Sequence, residues 1–308
     1  MKLYFDSNVY DAILKAGEVG AVRAWLRASD HRVEASLEAN VIEAVRAPAS
    51  LRAQLIAATT SIGAMAYPPR DYLHYREVAT ELVRLRPQWF TSPLDSRRRE
   101  LYLRERRRTW ARWKKEPATV PGNMAEQELR IQQLVAVDIG RQRKKDHDIT
   151  PGTQHSDAAV QRCMDALSPA ERHWRYANGN EVRASIKGDL RRGGHLEWLR
   201  GFVMPESQVA WDRFWMCDAE ADRVPLSRIV GLVEFFQRRG NVNAGNPMDR
   251  FGHAPYLMGY DRVLTRDERF FKLLVDVVAE FPPGMLATPT LVASTQPVLD
   301  AIRAALGE

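Results

Sequence analysis

The spacing of apolar and polar positions changes register twice along this chain and divides it into three stretches. Residues 2–5, KLYF, make a short apolar run of strand length, followed by helical spacing through Val9, Ile13 and Leu14 and again through Val22, Trp25 and Leu26. A second strand candidate, HRVEA, ends at Ala35. The pattern then predicts a helix from Ser36 to Arg46, with Ser36 as its N-cap and Pro48 just beyond its end. Two more helical stretches run to about Arg86. From Pro87 to about Gly240 the chain reads as long helices rich in Arg and Trp, broken at PATVPGN, ITPGT, ANGN and RRGG, with no internal repeat. Alternation returns afterwards: a helix opening at Asn246-Pro247, a strand in YDRVL, a helix from Asp267 to Glu280, then ATPTLVAS and a closing helix. The expected architecture is an α/β domain made of residues 1–86 and 241–308, with an all-α subdomain, 87–240, inserted between them.

Within that frame a few carboxylates stand where chemistry is expected. Asp6 directly follows KLYF, at the carboxyl end of a strand, which is where ligands bind in open α/β sheets. By itself an Asp in this place reads more readily as an N-cap for the helix beginning near Asn8, and the rest of the chain changes that balance. Asn246 as N-cap and Pro247 as first helical residue put Asp249 in the first turn of its helix. Thr265-Arg266-Asp267 follows YDRVL, so Asp267 falls at a second strand end. Asp261, at the opposite end of that strand, reads as a turn residue. His253 lies four residues after Asp249, on the same helical face, and reads as an ordinary histidine or one that supports a carboxylate. His147, Asp148, His155 and Asp157 match no metal-ligand spacing and read as a solvated loop.

These residues, in this order, resemble the PIN-domain nuclease family. Asp6-Ser7-Asn8 is similar to the Asp-Thr/Ser-Asn that ends the family's first strand, and Thr265-Arg266-Asp267-Glu268-Arg269-Phe270 to its Thr-x-Asp-x-x-Phe. Glu43, in SLEANVIEAV, looks like the family's second acid; Glu38 competes for that place, but Glu43 fits the spacing from Ser36 better. Asp249 looks like the third acid, early in a late helix. The resemblance covers the two ends of the chain, and the long segment between the second and third acids departs from it. It implies a three-layer α/β/α fold with a central parallel sheet. It also implies that Asp6, Glu43, Asp249 and Asp267 bind Mg²⁺ or Mn²⁺ and catalyse phosphodiester hydrolysis, of RNA rather than DNA. Asn8 and Thr265, polar and next to candidate ligands, orient carboxylates or a metal-bound water, or equally make local turn hydrogen bonds. The chemistry agrees: four converging carboxylates repel one another unless hard cations neutralise them. An ion so held polarises a phosphoryl oxygen and activates water.

Composition narrows the partners. The chain has 308 residues, 45% hydrophobic and 27% charged, with no apolar stretch of membrane-spanning length and no secretory apolar core at its start, so a cytoplasmic, membrane-free protein is expected. Cys163 and Cys217 are too few for a disulfide framework or a Cys-rich zinc site and are expected to be inert. The net charge of +6 favours a polyanion, and the distribution sharpens this. Arg104, Arg107, Arg108, Arg112, Lys114 and Lys115 crowd one predicted helix, interleaved with Trp110 and Trp113, as suits single-stranded nucleic acid. The same tryptophans fit equally well in a helical core with the arginines outside. An antitoxin partner or a homo-oligomer is compatible with the family resemblance, and the residues choose neither. Two other readings remain: a PIN scaffold that binds nucleic acid without cutting it, and a haloacid-dehalogenase-like phosphatase, which needs a second Asp where this chain has Asn8.

Overall fold

A computed structural model describes residues 1–45, 47–93, 96–119, 155–187, 195–239, 252–295 and 297–308. The chain separates into two compact units. The first gathers the described residues of Met1–Pro69, Glu100–Asp138 and Gly245–Glu308, and the second those of Arg70–Arg99 and Ile139–Ala244.

The first unit is built on a parallel sheet of five strands, β1 (Lys2–Phe5), β2 (Arg32–Ala35), β3 (Ala64–Met65), β4 (Arg262–Thr265) and β5 (Thr288–Leu291), in the order β3-β2-β1-β4-β5. The register sets Leu3 opposite Val33 and Tyr4 opposite Val263, so strands from the two ends of the sequence are hydrogen-bonded neighbours. Helices α1 (Ser7–Lys15), α2 (Val19–Ala28), a short α3 (Ile42–Val45) and α4 (Ala49–Ile62) follow the first strands.

Period-two alternation gives both faces of β1 something to bury. Leu3 and Phe5 join a core with Val9, Ile13, Val33, Ile56, Leu264 and Ile302. Tyr4, on the other face, stacks on Tyr256, with ring centroids 4.0 Å apart. Both faces are covered, as an all-parallel sheet requires. The two-residue β3 escaped the sequence reading because so short a run has no period to detect.

The unit boundaries differ from those expected. Helix α5 (Arg70–Leu85) belongs to the second unit, because its Glu77 accepts the Leu226 and Ser227 backbone N–H groups (both 2.8 Å) at the start of a helix over Pro225–Arg239. Burial pushes that carboxyl up to about 8, against the pull of these two hydrogen bonds. Conversely, α6 (Ser96–Lys115) sends Trp110 and Trp113 into the core that holds Leu3 and Phe5. The basic helix is therefore partly a buttress of the sheet unit rather than wholly part of an insertion.

The regular elements among the second unit's described residues are helices, with one isolated antiparallel bridge between Phe90 and Val203. Its helix over Pro169–Lys187 lies against Pro225–Arg239, and Gly231 comes so close to Trp174 that a β-carbon there would sit 2.4 Å from the tryptophan's own. Cys163 and Cys217, expected to be inert thiols, form a disulfide with Cα atoms 5.5 Å apart. No described helix is long and apolar enough to cross a membrane.

Candidate metal centre

The order of the sheet reverses between β1 and β4, and at such a switch point the carboxyl ends of the two strands leave a crevice. Asp6 follows β1 there, and Thr265 ends β4. Since side chains alternate along a strand, Asp6 shares the face of Tyr4 rather than that of Phe5. Three hydrogen bonds fix its carboxylate: Oδ1 accepts from the Ser7 N–H (2.6 Å), and Oδ2 accepts from Asn8 Nδ2 (2.7 Å) and Thr265 Oγ1 (2.7 Å). Asn8 Oδ1 in turn accepts the Arg266 N–H at 2.9 Å, so the two strand ends are stitched together through the residues that hold Asp6.

Glu43 arrives from β2 by an unusual turn. The expected helix from Ser36 begins instead as a wide π-helical turn, Leu37–Val41, in which the Val41 N–H reaches back five residues to the Ser36 carbonyl (3.2 Å). Ser36 does cap, accepting the Ala39 N–H at 3.0 Å. Asn40 explains the widening. Its side chain bridges the Ser36 N–H (2.8 Å), the Phe5 carbonyl (2.9 Å) and Ser7 Oγ (3.3 Å), which draws the turn onto the end of β1. Such π-bulges occur often at functional sites. From the following α3, Glu43 extends its carboxylate to the site with its side chain 14% exposed.

Between the two carboxylates lies His253. The histidine is 1% exposed, and its Nε2 stands 3.0 Å from Glu43 Oε2 and 3.4 Å from Asp6 Oδ1. Its Nδ1 is 2.8 Å from Tyr4 Oη, and burial holds that phenol neutral by raising its pKa well above the ordinary value. Asp6, Glu43 and His253 thus offer ligand atoms that all lie within 4.8 Å of one another. Burial pushes the Asp6 carboxyl above the usual carboxylate range, and the charge of Glu43 adds to this, while His253 and the bonds from Thr265 and Ser7 pull it back. A buried carboxylate with a second one beside it gains from a cation between them, so the donor set fits a divalent ion.

Other expected residues stand differently. Asp267 does not enter this group; its Oδ1 accepts the Arg269 (2.8 Å) and Phe270 (3.1 Å) N–H groups and caps the helix Glu268–Ala279, with the residue exposed. It is linked to Asp6 through Thr265, whose Oγ1 accepts the Asp267 N–H at 3.0 Å. An Asp after a strand serves readily as a cap, and Asp267 does so here. Asp249, with His147 and Asp148, lies outside the described residues. Asp261 is a turn residue whose Oδ2 accepts the Lys2 N–H at 2.6 Å. Asp157 caps a helix, and His155 pairs with Asp212 at 3.3 Å.

On α6, Arg104, Arg107, Arg108, Arg112, Lys114 and Lys115 are exposed, whereas Trp110 and Trp113 are 7% and 2% exposed. Trp110 therefore offers no open face on which a base could stack, and its assignment to a nucleic-acid surface is corrected to core packing. Arg107 lies over the Tyr67 ring at 3.9 Å. Arg104, Arg108 and Arg112 have no carboxylate partner among the described residues. Comparison with protein-family models, curated proteins and solved structures finds no match for this chain.

Proposed function

We propose that this chain is a divalent-metal-dependent endonuclease of the PIN type, acting on single-stranded nucleic acid, RNA in particular. The observation that carries the reading is the convergence of Asp6, Glu43 and His253 at the switch point of a parallel sheet. Asp6 and Glu43 would hold the ion, which when bound supplies positive charge to a phosphodiester and lowers the pKa of water. Asn8 and Thr265 occupy Oδ2 of Asp6 and so orient Oδ1 toward the shared site, while Tyr4 fixes the His253 ring. The sheet order and the polar residues at both central strand ends support the PIN assignment; the preference for RNA comes from the family resemblance. In the direct test, the full chain is incubated with end-labelled single-stranded RNA and Mn²⁺ or Mg²⁺. Endonucleolytic products should appear and should vanish in EDTA. Cleavage undiminished by the chelator, or binding without cleavage under every divalent ion tried, would remove the assignment. Release of phosphate from a monoester with no cutting of RNA would favour the phosphatase instead.

Helix α6 supplies the backbone contacts in this reading. Arg104, Arg108 and Arg112 recur every fourth residue, so they line one face at a rise of about 6 Å per step. Replacing all three by Ala should lower the slope of log affinity against log salt by about 2, at roughly 0.7 per lost phosphate contact on a single strand. The metal centre and the fold should be untouched, since all three side chains are exposed. A salt slope unchanged in the triple variant would move substrate binding off this helix.

A further inference from the structure

We infer that the centre prefers a first-row transition ion over Mg²⁺, because its third ligand is the imidazole Nε2 of His253. The inference rests on the reading above that the centre holds a divalent ion, and it replaces the open choice between Mg²⁺ and Mn²⁺ with an order of affinity.

Three observations on the ring carry it. The first is distance. Two neighbouring ligands each about 2.1 Å from one ion stand about 3.0 Å apart when the angle between them is near a right angle, and somewhat farther when it opens. The separations of Nε2 from Glu43 Oε2 and Asp6 Oδ1, 3.0 and 3.4 Å, are of this size. The second is burial. At 1% exposure the imidazole is out of bulk water, and its ring is confined between Tyr4 and Phe270, with centroids 5.8 and 6.0 Å away. It therefore cannot swing aside to leave an all-oxygen site. The third is the far nitrogen. Nδ1 is engaged by Tyr4 Oη at 2.8 Å, and Tyr4 is itself held by its stack on Tyr256. A polar partner on the distal nitrogen is the usual means by which a ligating histidine is fixed in orientation and tautomer.

The consequence for the ion is chemical. Mg²⁺ demands oxygen ligands and gives up water reluctantly, whereas imidazole suits the transition series, in which affinity rises from Mn²⁺ toward Co²⁺ and Zn²⁺. A neutral imidazole that ligates through Nε2 carries its single proton on Nδ1, where Tyr4 Oη stands 2.8 Å away to accept it.

The test is a binding measurement on the full chain, with no substrate present. Free Mn²⁺ is followed by electron paramagnetic resonance as it is titrated with protein, and Mg²⁺ and Co²⁺ are then added as competitors. In the native protein Mn²⁺ should bind at least tenfold more tightly than Mg²⁺, and Co²⁺ more tightly still. His253→Gln offers an amide oxygen in place of the nitrogen and should bring the Mn²⁺ and Mg²⁺ affinities to within a few-fold of each other. Tyr4→Phe keeps the stacking but removes the hold on Nδ1, and should weaken Mn²⁺ binding by about 10–100-fold while Mn²⁺ still outcompetes Mg²⁺. This second variant keeps the test decisive if His253→Gln fails to fold. Equal Mn²⁺ and Mg²⁺ affinities in the native protein, a preference that survives His253→Gln, or a Tyr4→Phe variant that binds Mn²⁺ as the native protein does would overturn the role of His253 and leave the metal centre standing. If neither Mn²⁺ nor Mg²⁺ binds, the metal centre itself falls, and the nuclease reading with it.

Discussion

Asp6→Asn is expected to abolish cleavage while leaving the protein folded. Loss of a group that only holds a metal ligand in place costs about 10–100-fold in affinity or activity, and loss of the ligand's own charge should exceed that. Stability should move little, for two opposed reasons. The amide has one acceptor oxygen where the carboxylate has two. If it turns that oxygen toward Asn8 and Thr265, the Ser7 N–H loses its capping partner, at about 1 kcal/mol. Against this, the buried charge that pushes the Asp6 carboxyl upward is gone. Cleavage rate and thermal midpoint, both measured on the same preparation, check the pair of expectations. A variant that still cuts within tenfold of the native rate would show that Asp6 is not a ligand of the reacting centre. A large drop in the midpoint would show that its work is structural.

The second large effect concerns α6. Trp113→Ala should destabilise the protein by about 3–5 kcal/mol, the range for truncating a buried aromatic, and Trp110→Ala should cost a comparable amount. Against a total stability of about 5–15 kcal/mol, either change approaches the limit of what a domain tolerates. Arg112→Ala, between them in sequence but exposed, should stay within about 0.5 kcal/mol. Urea unfolding followed by circular dichroism reads all three. If the tryptophans were stacking platforms, their removal would leave the urea midpoint in place and weaken RNA binding by about 1–3 kcal/mol instead.

What could be read from the sequence divides along physical lines. β1, β2 and β4 announced themselves because each combines a short apolar run with a polar break, and Asp6 was locatable because it sits at such a break. Asn8 and Thr265 were visible as polar neighbours of candidate ligands. His253 reads from the sequence as an ordinary histidine or one that supports a carboxylate, because its place beside Asp6 and Glu43 depends on Tyr4, 249 residues away in sequence, and on the strand order that sets β4 beside β1. No local pattern encodes that meeting. The run of buried residues that follows, Ala254 to Leu257, was the one available hint that this histidine points inward. Trp110 and Trp113, three apart on a helix, fit a core stripe and an aromatic ladder equally well, and only the packing separates the two. Asp267 shows the converse limit, since a carboxylate after a strand is equally suited to ligate or to cap. The disulfide joins two cysteines 54 residues apart with no spacing that would pair them in advance.

The pairing of β1 with β4 also sets a clock. A ribosome adding about 5–20 residues per second needs roughly 10–50 s to pass from Glu43 or Tyr4 to His253. During that interval β2 can join β1, but β1 has no β4 at its other edge and Asp6 has no Thr265 to hold it. The nascent protein is thus without its assembled centre until the stretch from His253 to Thr265 has been made. Whatever chemistry the centre performs is withheld from the messenger and ribosome making it until the histidine has emerged.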